Sequence, residues 1–203
     1  TDHPTKFTLQ ETMFSVGTDF RLTDKKGNFA YIDHCVTNLS TTFNYNDSNQ
    51  QTLATGNKAL ISWGSQVNIV DSNNRLLGTI EERVTSSLLK VSTSYDLKDP
   101  SGKILATSGK IDFMGTSFTI KAPDSSTLAT ISRSSFFDAG GYTWSCEFSE
   151  AVAKDPTLRI LASLIPAYKT VSDQERAAAQ KEKADEEARK VEEKQKKEQK
   201  DKR

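Results

Sequence analysis

With 203 residues, and 27 Lys/Arg against 27 Asp/Glu, the chain is long enough for one domain with a sizeable core and a tail. Residues 1–171 carry 16 basic and 17 acidic side chains, and residues 172–203 carry 11 and 10. Neither part has the basic excess that nucleic acid or a strongly anionic surface would require, so no nucleic-acid partner is expected.

In chain order, one phrase recurs about every 25 residues. A strand of the form aromatic–x–aliphatic runs into a polar turn, and a second apolar strand follows. The first copy is Phe20-Arg-Leu22, turn Asp24 to Gly27, then Phe29 to Ile32. The second is Phe43-Asn-Tyr45, turn Asn46 to Asn49, then Leu53-Ala54. The third is Val67-Asn-Ile69, turn Asp71 to Asn74, then Leu76 to Ile80. The fourth is Tyr95-Asp-Leu97, turn Asp99 to Gly102, then Ile104 to Ala106. The fifth is Phe118-Thr-Ile120, turn Pro123 to Ser126, then Leu128 to Ile131. Asx, Gly, Ser and Pro clusters are turn formers, and the flanks alternate with period two, so each copy predicts a β-hairpin. Five hairpins give about ten strands, and the alternation of Tyr142 to Phe148 adds one more. So many short antiparallel strands imply a sandwich or a closed barrel, and closure removes exposed edges. Phe20, Leu22, Tyr45, Ile69, Leu97 and Ile120 are the expected inward positions.

Asp155 to Lys169 breaks the pattern. Asp155 suits an N-cap and Pro156 a first helical position. Leu158, Leu161, Leu164, Ile165 and Tyr168 fall on one helical face, with Arg159, Ser163 and Pro166 opposite. The segment is too short to cross a bilayer, so a core helix is expected, interrupted by one missing hydrogen bond at Pro166. At Ser172 the composition turns to Ala, Glu, Lys, Arg and Gln. Ser172-Asp-Gln-Glu175 reads as a capping box and sets the boundary between a domain over 1–171 and a charged helical tail over 172–203. Asp185 and Arg189, Glu186 and Lys190, Glu192 and Lys196, and Glu193 and Lys197 are acid-before-base pairs at i,i+4. Ala184, Ala188 and Val191 make a faint stripe without a heptad seam.

Little points to chemistry, and no catalytic, cofactor or metal residues are assigned; a non-enzyme is expected. Cys35 and Cys146 could pair, help to close a metal site or be two small buried residues, and strand-like apolar context favours the last. His34 reads as a surface residue, and its side chain points away from that of its neighbour Cys35. Trp63 and Trp144 read as core residues. Asp71 to Asn74 lacks the Gly and distal Glu of a calcium loop. Met114-Gly115 and Gly140-Gly141 read as turn or bulge glycines, and the Asn-x-Ser matches at Asn38 and Asn46 occur at chance frequency. No signal peptide is visible, so the cytoplasm is the expected compartment. A chain starting at Thr1 leaves a secreted form with a removed signal peptide as the alternative.

The stretch Lys6 to Asn28, with Phe7-Thr-Leu-Gln-Glu11 and Gly17-Thr-Asp19-Phe20-Arg-Leu22-Thr-Asp24, resembles the start of a LURP-one-related domain. Asp155-Pro-Thr-Leu-Arg-Ile-Leu-Ala-Ser-Leu-Ile-Pro-Ala-Tyr168 is similar to its end. This family belongs to the tubby C-terminal-like superfamily together with the phospholipid scramblases, and the resemblance covers about residues 5–170. It implies a closed antiparallel barrel of about twelve strands around a central C-terminal apolar helix. The scramblase-type Pro-rich N-terminal region and Cys cluster are missing here.

Two functions are carried forward. The first is a non-catalytic interaction or structural module, in which the tail (Ser172, Glu175, Ala184, Ala188, Val191) contacts a protein partner or a second copy. The alternative is a tubby-type module that binds an anionic phospholipid through a cluster of lysines, with Lys90, Lys110 and Lys121 as candidates.

Overall fold

The five turn clusters close five hairpins of one construction. The computed structural model describes residues 3–12, 19–37, 40–87, 90–112, 115–133 and 142–201; the side chains of residues 86, 87, 90, 194 and 196–201 lie outside that description. So do Asn38, Met114, Gly140 and Gly141. The strands are β1 (Lys6–Thr12), β2 (Asp19–Asp24), β3 (Gly27–Val36), β4 (Thr41–Asp47), β5 (Thr52–Ile61), β6 (Gly64–Asp71) and β7 (Leu76–Ser87). They continue with β8 (Lys90–Lys98), β9 (Ile104–Thr107), β10 (Ile111–Asp112), β11 (Ser117–Lys121), β12 (Thr127–Ser132) and β13 (Thr143–Phe148). Two helices follow, α1 (Glu150–Lys154) and α2 (Pro156–Asp201).

All pairings are antiparallel. From β8 the order runs through β7, β6, β5, β4, β3, β2, β1, β13, β12, β11 and β9, and β9 pairs back onto β8. Twelve strands therefore close on themselves, and β10 adds a two-residue ladder against Ser92 and Thr93 of β8. The chain divides into two compact units, Thr1–Tyr168 and Lys169–Arg203, a division three residues ahead of Ser172.

The hairpins share a detail finer than their turns. In each, the register shifts just after an inward apolar or aromatic residue: after Leu22, Tyr45, Ile69, Leu97 and Ile120. One residue of the returning strand is left unopposed, namely Phe29, Leu53, Leu77, Leu105 and Leu128. These are β-bulges, which bend and twist a strand in the way that closing a barrel requires. In four turns the first residue's N–H donates to the carbonyl four residues on, and the residue three on donates back, at 2.9–3.0 Å. That geometry puts Gln50, Asn74, Gly102 and Ser125 at positive φ. Asp47, Asp71 and Asp99 tie their own turns by accepting two backbone N–H bonds each through Oδ1 at 2.8–3.0 Å.

The expected inward residues Phe20, Leu22, Tyr45, Ile69, Leu97 and Ile120 are all buried. After each bulge comes a small buried residue: Ala30, Ala54, Gly78, Ala106 and Ala129. At Gly78 the wall meets the first part of α2 through Leu161. Asp155 Oδ1 accepts from Thr157 N and Leu158 N at 2.9 and 3.0 Å, so it caps α2 as anticipated. Leu161, Leu164, Ile165 and Tyr168 are at most 1% exposed. Ser163 and Pro166 are buried as well, whereas Leu158 and Arg159 in the first turn are half-buried, so the expected polar side ends at Arg159 and from Ile160 to Tyr168 the helix is covered all round. At Gly78 an added Cβ would lie 2.5 Å from the Lys98 carbonyl oxygen and 3.0 Å from Leu161 Cδ1.

Several expectations give way here. His34 is 7% exposed and stacks on Phe43 with ring centroids 4.9 Å apart; it shares strand parity with Ala30 and Ile32 and so faces the lumen. Cys35 on the other face is exposed, whereas Cys146 is buried, and both are free thiols. Trp144 is buried but Trp63 is 54% exposed, because Trp63 sits in the short β5–β6 connection beyond the filled lumen. Ser172 opens no helix: α2 runs through it, and with preceding carbonyls available to its first N–H groups a capping box has nothing to cap.

Two outcomes are expected. Gly78→Ala should lower unfolding stability by about 1–3 kcal/mol through overpacking, read from denaturant midpoints. The second concerns acid. Asp71 is held below its usual carboxylate range first by the Arg75 backbone N–H, and Asp99 and Asp124 first by the Ser101 and Ser126 hydroxyls. A depressed folded pKa adds stability above the unfolded value and loses it as pH falls through the folded one. The melting temperature should therefore drop as pH falls below about 4, and drop less steeply in the Asp71→Asn/Asp99→Asn/Asp124→Asn variant.

Candidate functional site

Inside the barrel, near the end of β7 away from the Asp turns, a polar cluster interrupts the apolar lumen. Glu82 is 1% exposed. Its Oε1 accepts from the Tyr95 hydroxyl at 3.1 Å, and its Oε2 lies 3.0 Å from Ser65 Oγ and 3.4 Å from the Tyr168 hydroxyl. The Ser65 and Tyr168 hydroxyls also bond to each other. The Tyr168 ring meets Phe43 and Tyr95 edge-on at 5.7 and 5.8 Å, and Lys58 Nζ lies 5.8 Å from its centroid. Ser65 and Tyr168 have one hydroxyl proton each, so one of them donates to the other and that other to Glu82; the linked hydroxyls and Tyr95 engage both carboxyl oxygens and clamp β6, β7, β8 and α2 together.

On the outer wall, Glu81 gathers a second cluster. Trp63 Nε1 donates to Oε1 at 3.2 Å, Arg83 Nε pairs with Oε1 at 2.9 Å, and Lys98 Nζ pairs with Oε2. Burial pushes the Glu81 carboxyl up, but the Lys98, Arg83 and Trp63 donors together outweigh it and hold it below its ordinary range. This explains how Trp63 is fixed in place while exposed. Asn46 is another polar residue held within the sheet: its amide is buried and donates to Asp33 Oδ2 at 2.6 Å.

The three lysines named from the sequence stand apart. Lys90 opens β8 opposite Ser87, at the rim opposite the Asp turns. Lys121 closes β11 opposite Thr127, at the turn rim. Lys110 is exposed and immediately precedes β10. Since Ile111 pairs with Thr93, the backbones of Lys110 and Lys90 lie about 13 Å apart along β8 at the usual strand rise.

The second unit is built on α2. Lys169, Thr170, Val171, Ser172 and Asp173 are buried. Lys169 Nζ, wholly buried, pairs with Asp173 Oδ2 at 2.7 Å, and Arg176 Nη1 reaches Asp173 Oδ1 at 3.5 Å. Beyond this network the environment changes: Glu175 is exposed, and from Ala177 to Glu193 every side chain is exposed, Ala184, Ala188 and Val191 included. Lys190 pairs with Glu186 at 2.5 Å, as the i,i+4 spacing anticipates. The side chains of Lys196 and Lys197 lie outside the described residues.

Among the described residues, no group of three His, Cys, Asp or Glu side chains could hold a metal. No described helix is long and apolar enough to cross a membrane. The class the architecture defines is a closed antiparallel barrel with a helix through its lumen, and that fold alone names no function. No family model, no curated protein and no solved structure matches the chain.

If the Glu82 cluster is a clamp, Tyr168→Phe should cost about 1–2 kcal/mol by withdrawing a hydroxyl from the cluster on a buried carboxyl. Urea unfolding would show it as a lower midpoint with an unchanged slope.

Proposed function

We propose that the chain is a non-catalytic interaction module: the barrel is the platform, and the helix beyond Ser172 makes contacts with a protein partner or a second copy. One observation carries this reading. The seventeen residues from Ala177 to Glu193 form helix while every side chain stays exposed. A helix covered nowhere gains nothing from packing, and its i,i+4 pairs add only a few tenths of a kcal/mol each. It presents about 26 Å of interleaved charge at 1.5 Å per residue, with Ala184, Ala188 and Val191 as the shallow strip on which a partner helix could lie. The twelve-strand closed barrel with its inner helix is also the arrangement implied by the resemblance to LURP-one-related domains, and supports that affiliation.

Removing residues 177–203 tests the reading while keeping the buried Lys169–Asp173 pair. Light scattering across a concentration series should show association in the full chain and its loss in the shortened one, or partner capture should vanish with the helix. An unchanged mass together with unchanged partner capture would refute the proposal.

A further inference from the structure

Beyond the buried Lys169–Asp173 pair, α2 continues as helix to Asp201, and along it the charges come in alternating blocks. Asp185-Glu186 is acidic, Arg189-Lys190 basic, Glu192-Glu193 acidic and Lys196-Lys197 basic. A lone helix accounts for part of this, because each acidic block sits four residues before a basic one. Lys190 does pair with Glu186 at 2.5 Å, but the two side chains are 66% and 63% exposed, so the bond exchanges readily.

What those pairs do not require is the symmetry of the blocks about a centre. Read forwards the order is acid, base, acid, base; read backwards it is base, acid, base, acid. The centre of that reversal is Val191. Two antiparallel copies centred there set Lys190 level with Glu192, Arg189 with Glu193, Glu186 with Lys196 and Asp185 with Lys197. Farther out, Glu182 comes level with Lys200 and Lys181 with Asp201. Of the ten levels between Lys181 and Asp201, six carry a charge on both sides, and all six are opposite in sign. The register is selective as well. Sliding one copy by four residues either way, about 6 Å at the helical rise, leaves three like-charged levels.

We propose that this helix pairs antiparallel with the same helix of a second copy, on a two-fold axis at Val191. The inference rests on the reading of the helix as a contact surface, and it names what the surface contacts. Parallel helices in register would set each block against its own copy, so every charged level would repel. A parallel pair displaced by one block would match signs but leave a free block at each end, and such head-to-tail contacts run on into filaments. The two-fold arrangement closes, and each of the six levels is used twice. Val191 is the only branched apolar residue between 177 and 201 and is 55% exposed; the axis brings it against its own copy. Exposed ion pairs are weak one by one and are screened by salt. The dimer therefore forms at low ionic strength and dissociates as salt rises.

Light scattering of the full chain across a concentration series should show a monomer–dimer equilibrium, its dissociation constant rising about tenfold or more from low to physiological salt. Lys196→Glu/Lys197→Glu, and separately Asp185→Lys/Glu186→Lys, should each be monomeric, because both make like charges meet on either side of the axis. Mixed in equal amounts, the two variants should dimerise with each other, since acid then meets base at all those levels again. Circular dichroism keeps a loss of helix apart from a loss of pairing. Cys35, the exposed thiol, is removed as Cys35→Ser to read the orientation. In that background, chains carrying Ala184→Cys and chains carrying Glu198→Cys should form disulfides with each other rather than with their own kind. A wild-type chain that stays monomeric at every concentration overturns the proposal. If that monomer still captures a protein partner through the helix, the contact-surface reading stands without it. Undiminished association in either charge variant, no pairing in their mixture, or disulfides mainly between like chains overturns the proposal too.

Discussion

A closed sheet is only as stable as the filling of its lumen, and here a single helix supplies that filling. Twelve strands turn an apolar face inward, and none of them has another layer to pack against. From Ile160 to Tyr168 every residue of α2 is therefore buried. Ala30, Ala54, Gly78, Ala106 and Ala129 are small and buried after each bulge, and at Gly78 the wall meets Leu161 of this helix. At Gly78 that space is short even for one methyl group, with Leu161 Cδ1 3.0 Å from where it would sit. The recurring bulge is the backbone counterpart of the same requirement. Strands that stayed regular would not curve enough to meet across β8 and β9, and each hairpin supplies its share of curvature just after an inward apolar or aromatic residue.

The hairpins could be read from the sequence because each is specified locally. Period-two alternation fixes which side chains share a face, and Asx turns fix where the chain reverses. The large-apolar-then-small step at Leu53-Ala54, Leu105-Ala106 and Leu128-Ala129 is also visible, but its meaning as a bulge followed by a helix-facing gap appears only with the register. Residue type, rather than strand parity, misplaces a few side chains. Trp63 and Cys35 keep strand-like context yet stand outside the filled lumen, while His34, polar by type, lies within it. Ser172 shows a different failure: a capping box is a local signal, and a helix already running through it has no orphan N–H groups left to answer it. The gathering of Lys6, Lys25, Lys26, Lys154 and Arg159 could not be read at all, since it joins β1, a turn, α1 and α2 through the pairing of β1 with β13.

The Glu82 cluster shows how an almost wholly apolar lumen sets the axial position of its helix. Apolar packing tolerates small slides, because Leu and Ile side chains exchange partners at little cost. A buried carboxyl tied into a chain of hydroxyls does not. Moving α2 by one turn would carry Tyr168 about 5 Å along the axis, away from Ser65 and Glu82 in a medium that penalises the loss. The polar groups cost stability to bury, and what they contribute is discrimination between registers.

The repeat also separates what the fold demands from what it leaves open. At the tip positions of the four later turns stand Ser48-Asn49, Ser72-Asn73, Pro100-Ser101 and Pro123-Asp124, residues whose turn chemistry explains them fully. In the first turn the same two positions hold Lys25-Lys26, which no turn geometry requires and whose charges oppose one another. Their company makes the departure more pointed: Lys154 ends α1, Arg159 lies in the first turns of α2, and Lys6 begins β1, so five cations from separate elements meet where mutual repulsion disfavours them. Folding alone would spread such charges apart. In a chain whose other four turns obey the repeat, the turn that breaks it is the one that faces the cleft lined by Lys6, Lys154 and Arg159.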